Sequence, residues 1–303
     1  MDAIYVQGLT KQYPGFTLGP LSFSLPEGSI LGFVGENGAG KTTTIKSILG
    51  LARPQGGLVR ILGREMGGQN PREDLALRQQ VGVVLCENGF PESLSPLDAE
   101  RILRGLYPTW DSGYYHQLLS RFVLPENKPL KLFSTGMNRK LHLAAALAHR
   151  PRLLILDEAT SGLDPVVREE MLDLFLEFME DGAHSILLSS HITSDLDKVA
   201  DYIALIQKGR LLCCGDKNQL LEQSAVVKCS LEELRRLPPE LVVRWRQNAF
   251  GAEALVNDRG ALRFLLPQAP LERVSIEGLM LFYAKGLPGE MCIRDSTYPT
   301  SLF

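Results

Sequence analysis

The stretch Gly35-Glu36-Asn37-Gly38-Ala39-Gly40-Lys41-Thr42 constrains the fold more than any other part of the chain. It satisfies G-x-x-x-x-G-K-[ST] between a strand-like and a helix-like segment. Ser29-Ile30-Leu31-Gly32-Phe33-Val34 is a short apolar run of buried-strand type, and Thr42–Leu49 places Ile45, Ile48 and Leu49 at helical spacing. A strand that turns through glycines into a helix points backbone N–H groups inward and adds the helix's positive end, which suits a phosphate. On this reading Gly35, Asn37, Gly38, Ala39 and Gly40 shape the cradle and Lys41 reaches the β- and γ-phosphates of a nucleotide such as ATP. Thr42 ligates Mg²⁺, and Thr43 sits near the α-phosphate. Taken alone, the loop means only a triphosphate site, since kinases, GTPases and motor ATPases share it.

The surroundings favour an α/β domain. From about Ile4 to Asp216 short apolar strands alternate with helical segments, and Leu153–Leu156 and Ser185–Ser190 read as further buried strands. Between about Gly89 and Leu130 the pattern turns helical and aromatic, with Tyr107, Trp110, Tyr114, Tyr115 and Phe122, and helix formers dominate again over Met137–His149. We expect an ATP-binding domain over 1–216, with a helical subdomain over about 89–150. A small α+β accessory domain over 217–290 follows, with strands at Ala225–Cys229, Leu241–Trp245 and Ala261–Leu266 and a helix at Glu272–Ala284. Met291–Ser296 back-translates to a transposon end used in sequencing libraries, so 291–303 reads as translated adapter.

Composition excludes some classes. A net charge of −3 with scattered Lys and Arg gives no basic face, so no nucleic-acid partner is expected. The start lacks the basic and apolar regions of a secretory signal, and no apolar run reaches bilayer-spanning length. The five cysteines form no C-x-x-C pair, which suits a reduced cytosolic protein.

Three downstream segments carry further chemistry. Leu153–Leu156 runs into Asp157 and Glu158: the first can hold Mg²⁺, usually through water, and the second can polarise an attacking water as general base. His191 ends another apolar strand, where an imidazole can contact a γ-phosphate or be merely exposed. Ser134, in Phe133-Ser134-Thr135-Gly136-Met137, can be a helix N-cap or part of an anion site at that helix's end.

Together these segments resemble the nucleotide-binding subunits of ABC transporters, over residues 1 to about 216 and in family order. Gly35–Thr42 resembles their Walker A, Phe133–Met137 their signature, Leu153–Glu158 their Walker B, Ser161-Gly162-Leu163-Asp164 their D-loop and His191 their switch histidine. Tyr13 stands where the family stacks an aromatic on adenine. Tyr107–Asp111, Asp164–Arg168 and Ser190–Leu196 look most like the Ytr-type and bacitracin-exporter-type subunits of bacteria.

The resemblance implies a P-loop core and a head-to-tail homo- or heterodimer with two ATPs at the interface. In it Lys41, Thr42, Asp157, Glu158 and His191 of one subunit face Ser134 and Gly136 of the other, near Asp164. It further implies a transmembrane permease docked around Gly89–Leu130, a position on the inner face of the cell membrane, and export.

The chain departs from the pattern in places. Cys86 stands where the Q-loop glutamine belongs; Mg²⁺ prefers oxygen, so Glu87 is the expected substitute. Phe133, Thr135 and Met137 break the L-S-G-G-Q signature, and Ala159 replaces a proline after Walker B. A chromosome-structural or DNA-repair ATPase is disfavoured because no sustained heptad separates the motifs. A translation-associated member is disfavoured because there is one Walker A. A regulatory subunit that does not hydrolyse ATP stays open at this stage.

Overall fold

The computed structural model describes residues 1–66, 71–86 and 89–289, and these divide into two compact units, with the boundary between Cys214 and Gly215. The first unit starts with β1 (Asp2–Tyr13), β2 (Phe16–Pro26) and β3 (Ile30–Val34), followed by α1 (Lys41–Ile48), β4 (Gly56–Ile61), β5 (Arg64–Glu65), α2 (Pro71–Arg78) and β6 (Val81–Val84). Helices α3 (Pro96–Leu106), α4 (Ser112–Arg121) and α5 (Thr135–Ala148) come next. The unit closes with β7 (Leu153–Asp157), α6 (Pro165–Met179), β8 (Ser185–Ser190), α7 (Thr193–Val199), β9 (Tyr202–Gln207) and β10 (Arg210–Asp216), whose last two residues lie past the boundary.

Two sheets enclose its core. A four-stranded antiparallel sheet has the order β2-β1-β4-β5, and a six-stranded sheet has the order β10-β9-β3-β8-β7-β6. In the second sheet β3 pairs in parallel with β8 and β9, and β7 with β6 and β8. Strands buried on both faces need no polar alternation. Accordingly every residue of β3 and β7 is buried, and these two carry the loop and the acidic pair at their C-terminal ends. Helix α1 packs Ile45 and Ile48 among Leu9, Leu18 and Leu25 of the antiparallel sheet and Phe33 and Ile155 of the parallel one. Burying Ile45 and Ile48 fully contributes roughly 2 kcal/mol each, which fixes the helix start against the loop.

The helical part is held by its caps and by a small core. Ser95 and Asp98 form a capping box on α3, and the Asp111 side chain caps α4. Tyr115, Leu118, Leu119 and Leu141 are buried there, and the Tyr115 hydroxyl donates to Pro96 O at 3.1 Å.

The second unit contains α8 (Lys217–Gln223), β11 (Ala225–Cys229), α9 (Leu231–Arg236), β12 (Val242–Asn248), β13 (Gly251–Val256), α10 (Arg259–Leu265), β14 (Leu271–Arg273), α11 (Ile276–Lys285) and β15 (Leu287–Pro288). Its antiparallel sheet has the order β14-β11-β13-β12-β15, so the run from β11 to β14 is a split β-α-β-β-α-β motif. Alternation sorts the two faces: Ala225, Val227, Ala254 and Val256 join Leu234 and Leu262, while Val226 and Leu255 join Leu279 and Phe282 of α11.

Two expectations are corrected here. Ala261–Leu266 is not a strand: α10 occupies Arg259–Leu265, because the Asp258 side chain accepts from Ala261 N at 2.9 Å and starts a helix. The terminal helix begins at Ile276 rather than Glu272, because Leu271–Arg273 pair with β11 and Ser275 caps α11.

Candidate nucleotide site

The loop after β3 is held at both ends by close approaches that exclude side chains. A Cβ on Gly35 would lie 2.4 Å from Ile206 O. Gly40 has φ +113°, and a Cβ there would lie 2.7 Å from Leu18 Cδ1. Gly209 N, in the turn between β9 and β10, donates to Ala39 O at 2.8 Å and ties the loop to that turn. Gly40 is the N-cap residue of α1 and offers no capping side chain, which leaves the helix's first N–H groups available to an anion.

Lys41 is buried, and its ammonium donates to Gly35 O at 2.7 Å and Glu36 O at 3.2 Å. The same nitrogen lies 2.9 Å from Glu158 Oε1, a pairing of charges rather than an aligned hydrogen bond. Thr42 Oγ1 donates to Asp157 Oδ2 at 2.8 Å. Asp157 is fully buried and accepts on its other oxygen from Ser189 Oγ at 2.6 Å.

Glu158 adopts φ +53°, which lifts it out of the strand and turns its side chain toward the loop. Its Oε2 lies 2.7 Å from His191 Nδ1, within hydrogen-bond distance. The folded chain thus brings Lys41, Thr42, Asp157, Glu158 and His191 together, drawn from α1, β7 and the turn after β8.

The remaining expected residues occupy other places. Ser134 Oγ accepts from Met137 N at 3.2 Å and caps α5, and Gly136 lies in that helix's first turn. Asp164 accepts from Val166 N and Val167 N at 3.1 Å and caps α6. Tyr13, at the end of β1, is 45% exposed, and Lys11 Nζ sits over its ring at 5.2 Å from the centre. Cys86 is an exposed thiol just past β6, and Glu87 lies outside the described residues.

Three supports were not foreseen. Ser189 bonds Asp157 and also accepts from Glu158 N at 3.1 Å. The Arg139 guanidinium, on α5, donates to Glu158 O at 2.5 Å. Thr160 Oγ1 donates to Asp195 Oδ2 at 2.7 Å, a buried bridge between the turn after Glu158 and the helix after His191. Polar residues at the end of the apolar run Ser185–Ser190 were the only hint of Ser189 in the sequence. Among the described residues no group of three or more His, Cys, Asp or Glu could hold a metal ion.

A P-loop whose lysine and threonine meet an acidic strand end, at the C-terminal edge of a parallel sheet, defines a P-loop nucleoside triphosphatase. Comparison with known proteins narrows this. The family described as ABC transporter matches residues 18–161. The bacitracin transport ATP-binding protein BcrA of Enterococcus faecalis is 34% identical over 213 residues, which is 69% of this chain and 68% of that protein. The lantibiotic transport ATP-binding protein SrtF of Streptococcus pyogenes is 33% identical over 210 residues, covering 68% of this chain and 88% of that protein. A solved ATP-binding subunit of an ABC transporter superposes with a TM-score of 0.65 at 27% identity, over 73% of this chain and 92% of its own. A dimeric ATP-binding cassette in a post-hydrolysis state, bound to ADP and phosphate, shares the fold with a TM-score of 0.63 at 21% identity, over 70% of this chain and 98% of its own. The chain belongs to the ABC transporter family, as an ATP-binding subunit and an ATPase. No helix among the described residues is long and apolar enough to cross a membrane.

Proposed function

We propose that this chain powers export by a bacterial ABC transporter from the cytoplasmic face of the membrane, as one half of a head-to-tail dimer. The observation that carries the catalytic part is the convergence of Lys41, Thr42, Asp157, Glu158 and His191 around one loop. Tyr13 stacks on the adenine, and Gly35 to Gly40 hold phosphate oxygens by backbone N–H groups. Lys41 exchanges its contacts with Gly35 O and Glu158 for the β- and γ-phosphates. Glu158, freed from Lys41 and still bonded to His191, takes the proton of the attacking water, and His191 steadies the γ-phosphate side.

Thr42 Oγ1 and Asp157 Oδ2, 2.8 Å apart, are adjacent hard oxygen donors and fit Mg²⁺. When bound, the cation supplies positive charge beside the β- and γ-phosphate oxygens. Cys86 adds no hard donor, so we assign part of the missing glutamine's role to Glu87. Wild-type hydrolysis with unchanged Mg²⁺ dependence in Glu87→Ala would remove that assignment.

The other half of each site comes from Ser134, Gly136 and Asp164 of a second copy or a homologous subunit. Ser134 stands at the N-terminal end of a long helix, where an anion is favoured. Closure of the dimer excludes water, and hydrolysis reopens it. The permease docks on the helical part around 89–130. Export is supported by the relatives that serve bacitracin and lantibiotic transport. Copurification from membranes should yield the permease, and its export substrate should stimulate ATP hydrolysis by the complex. A complex whose ATPase responds only to an imported solute would overturn the assigned direction.

A further inference from the structure

Two side chains of helix α5 hold segments that flank the site. The Arg139 guanidinium holds the carbonyl of Glu158 at 2.5 Å. One turn further along the same helix, His142 Nε2 accepts from Gly89 N at 3.3 Å, and its ring stacks on Phe90 with centroids 5.0 Å apart and planes 9° apart. Gly89 and Phe90 lie three and four residues beyond Cys86. Phe90 and His142 line a cleft of about 300 Å³ whose other walls include Phe133, Thr135 and Asn138, near Ser134 in the chain.

We propose that His142 is a positioning residue for ATP hydrolysis, a joint that locks the 89–90 segment to α5 so that Ser134 and the Glu158 turn keep one fixed geometry. Cys86 stands just before this segment with an exposed thiol, and the bond and stack at His142 attach the segment to α5. The attachment requires a lone pair on Nε2, hence a neutral ring. Burial is the largest influence holding the His142 pKa below its usual value, and the Arg139 charge adds to it. A backbone hydrogen bond with Asn138, on the preceding turn, opposes that shift. His142 touches neither phosphate nor the water-activating carboxylate; it acts through α5.

The inference rests on the reading that Ser134 completes a partner's site, and two variants separate the joint's components. His142→Phe keeps a ring for Phe90 and loses the acceptor; His142→Gln keeps an acceptor and loses the ring. Losing a partly exposed backbone bond costs roughly three- to tenfold. We expect His142→Phe to lower kcat, and ATP-driven dimerisation in a Glu158→Gln background, by about that factor. Nucleotide affinity of the monomer should stay at the wild-type value, since Lys41 and Tyr13 are untouched, and His142→Gln should recover most of kcat. A wild-type kcat in His142→Phe overturns the proposal. So does a His142→Gln protein as impaired as His142→Phe, because that marks a packing role. Amide exchange at Gly89 in the single chain is the second readout: it must accelerate in His142→Phe and not in His142→Gln. If the Glu158→Gln parent itself fails to dimerise, the composite-site reading fails, and Gly89 exchange alone decides whether the joint exists.

Discussion

Thr160→Val is a demanding perturbation of the site's framework, because it deletes one hydroxyl and almost nothing else. Thr160 is fully buried and Asp195 is 2% exposed, and the hydroxyl donates to the carboxylate at 2.7 Å. Valine preserves shape and leaves the carboxylate buried without that donor, a loss of about 2 kcal/mol within the usual range for an orphaned polar group. For a unit of this size each kcal/mol moves Tm by about 2–4 °C, so the first unit should melt about 4–8 °C lower.

The pH dependence gives a sharper test. Burial lifts the Asp195 pKa above its usual 3.8, and the Thr160 hydroxyl and the Arg168 charge pull it back. A carboxyl whose folded pKa is raised loses stability as pH rises from 3.8 through the folded value, because the unfolded chain ionises first. Valine raises the folded value further. The deficit should therefore be full at pH 8 and shrink as pH falls toward the range where Asp195 is protonated in both proteins. Thermal melts across that range, with parallel ATPase assays at neutral pH, measure it. The bridge sets the spacing of Glu158 and His191, so kcat should fall while KM holds. An unchanged Tm, or a deficit that is constant with pH, would refute the reasoning.

Ser189→Ala removes one bond to Asp157 and one to Glu158 N; kcat should drop by about tenfold, and a wild-type rate would show that Thr42 alone orients Asp157. Two histidines should leave opposite marks on a stability-against-pH curve. Burial pushes the His149 pKa down from 6.5 to about 4, so the protein should lose on the order of 2–3 kcal/mol between those values as the unfolded chain takes the proton first, and His149→Phe should flatten that limb. His116 has its pKa raised above 6.5, chiefly by its bond to Glu126, with Glu100 on its other nitrogen. Its contribution is complete below 6.5 and fades as pH rises through the folded value, so His116→Gln should remove that alkaline-side decline in urea melts.

The parallel strands and the loop were legible because each signal is local. An all-apolar run such as Leu153–Leu156 has one comfortable home, and a glycine at Gly35 or Gly40 answers a steric demand that its neighbours impose. The second unit was read less well. Gly251–Val256 is rich in helix formers yet forms β13 between β11 and β12, and Ala261–Leu266 is apolar enough for a strand yet is captured by the Asp258 cap. Tertiary pairing overrode propensity in one case, and a single capping side chain did so in the other. At the site, Lys41, Asp157 and Glu158 could be named from motif chemistry. Ser189 could not, since its bond to Asp157 spans 32 residues of sequence. The caps formed by Ser134 and Asp164 also show why such positions are ambiguous in sequence: a capping oxygen and an anion-site oxygen leave the same signature at a helix start.

The most direct test of the composite ATP site is the mass of Glu158→Gln in solution, with and without ATP. Glutamine keeps an acceptor for His191, removes the charge facing Lys41 and cannot take a proton from water. The account predicts a monomer without nucleotide, a stable dimer with ATP bound, and no phosphate release. A variant that binds ATP but stays monomeric, or that releases phosphate at the wild-type rate, would contradict it.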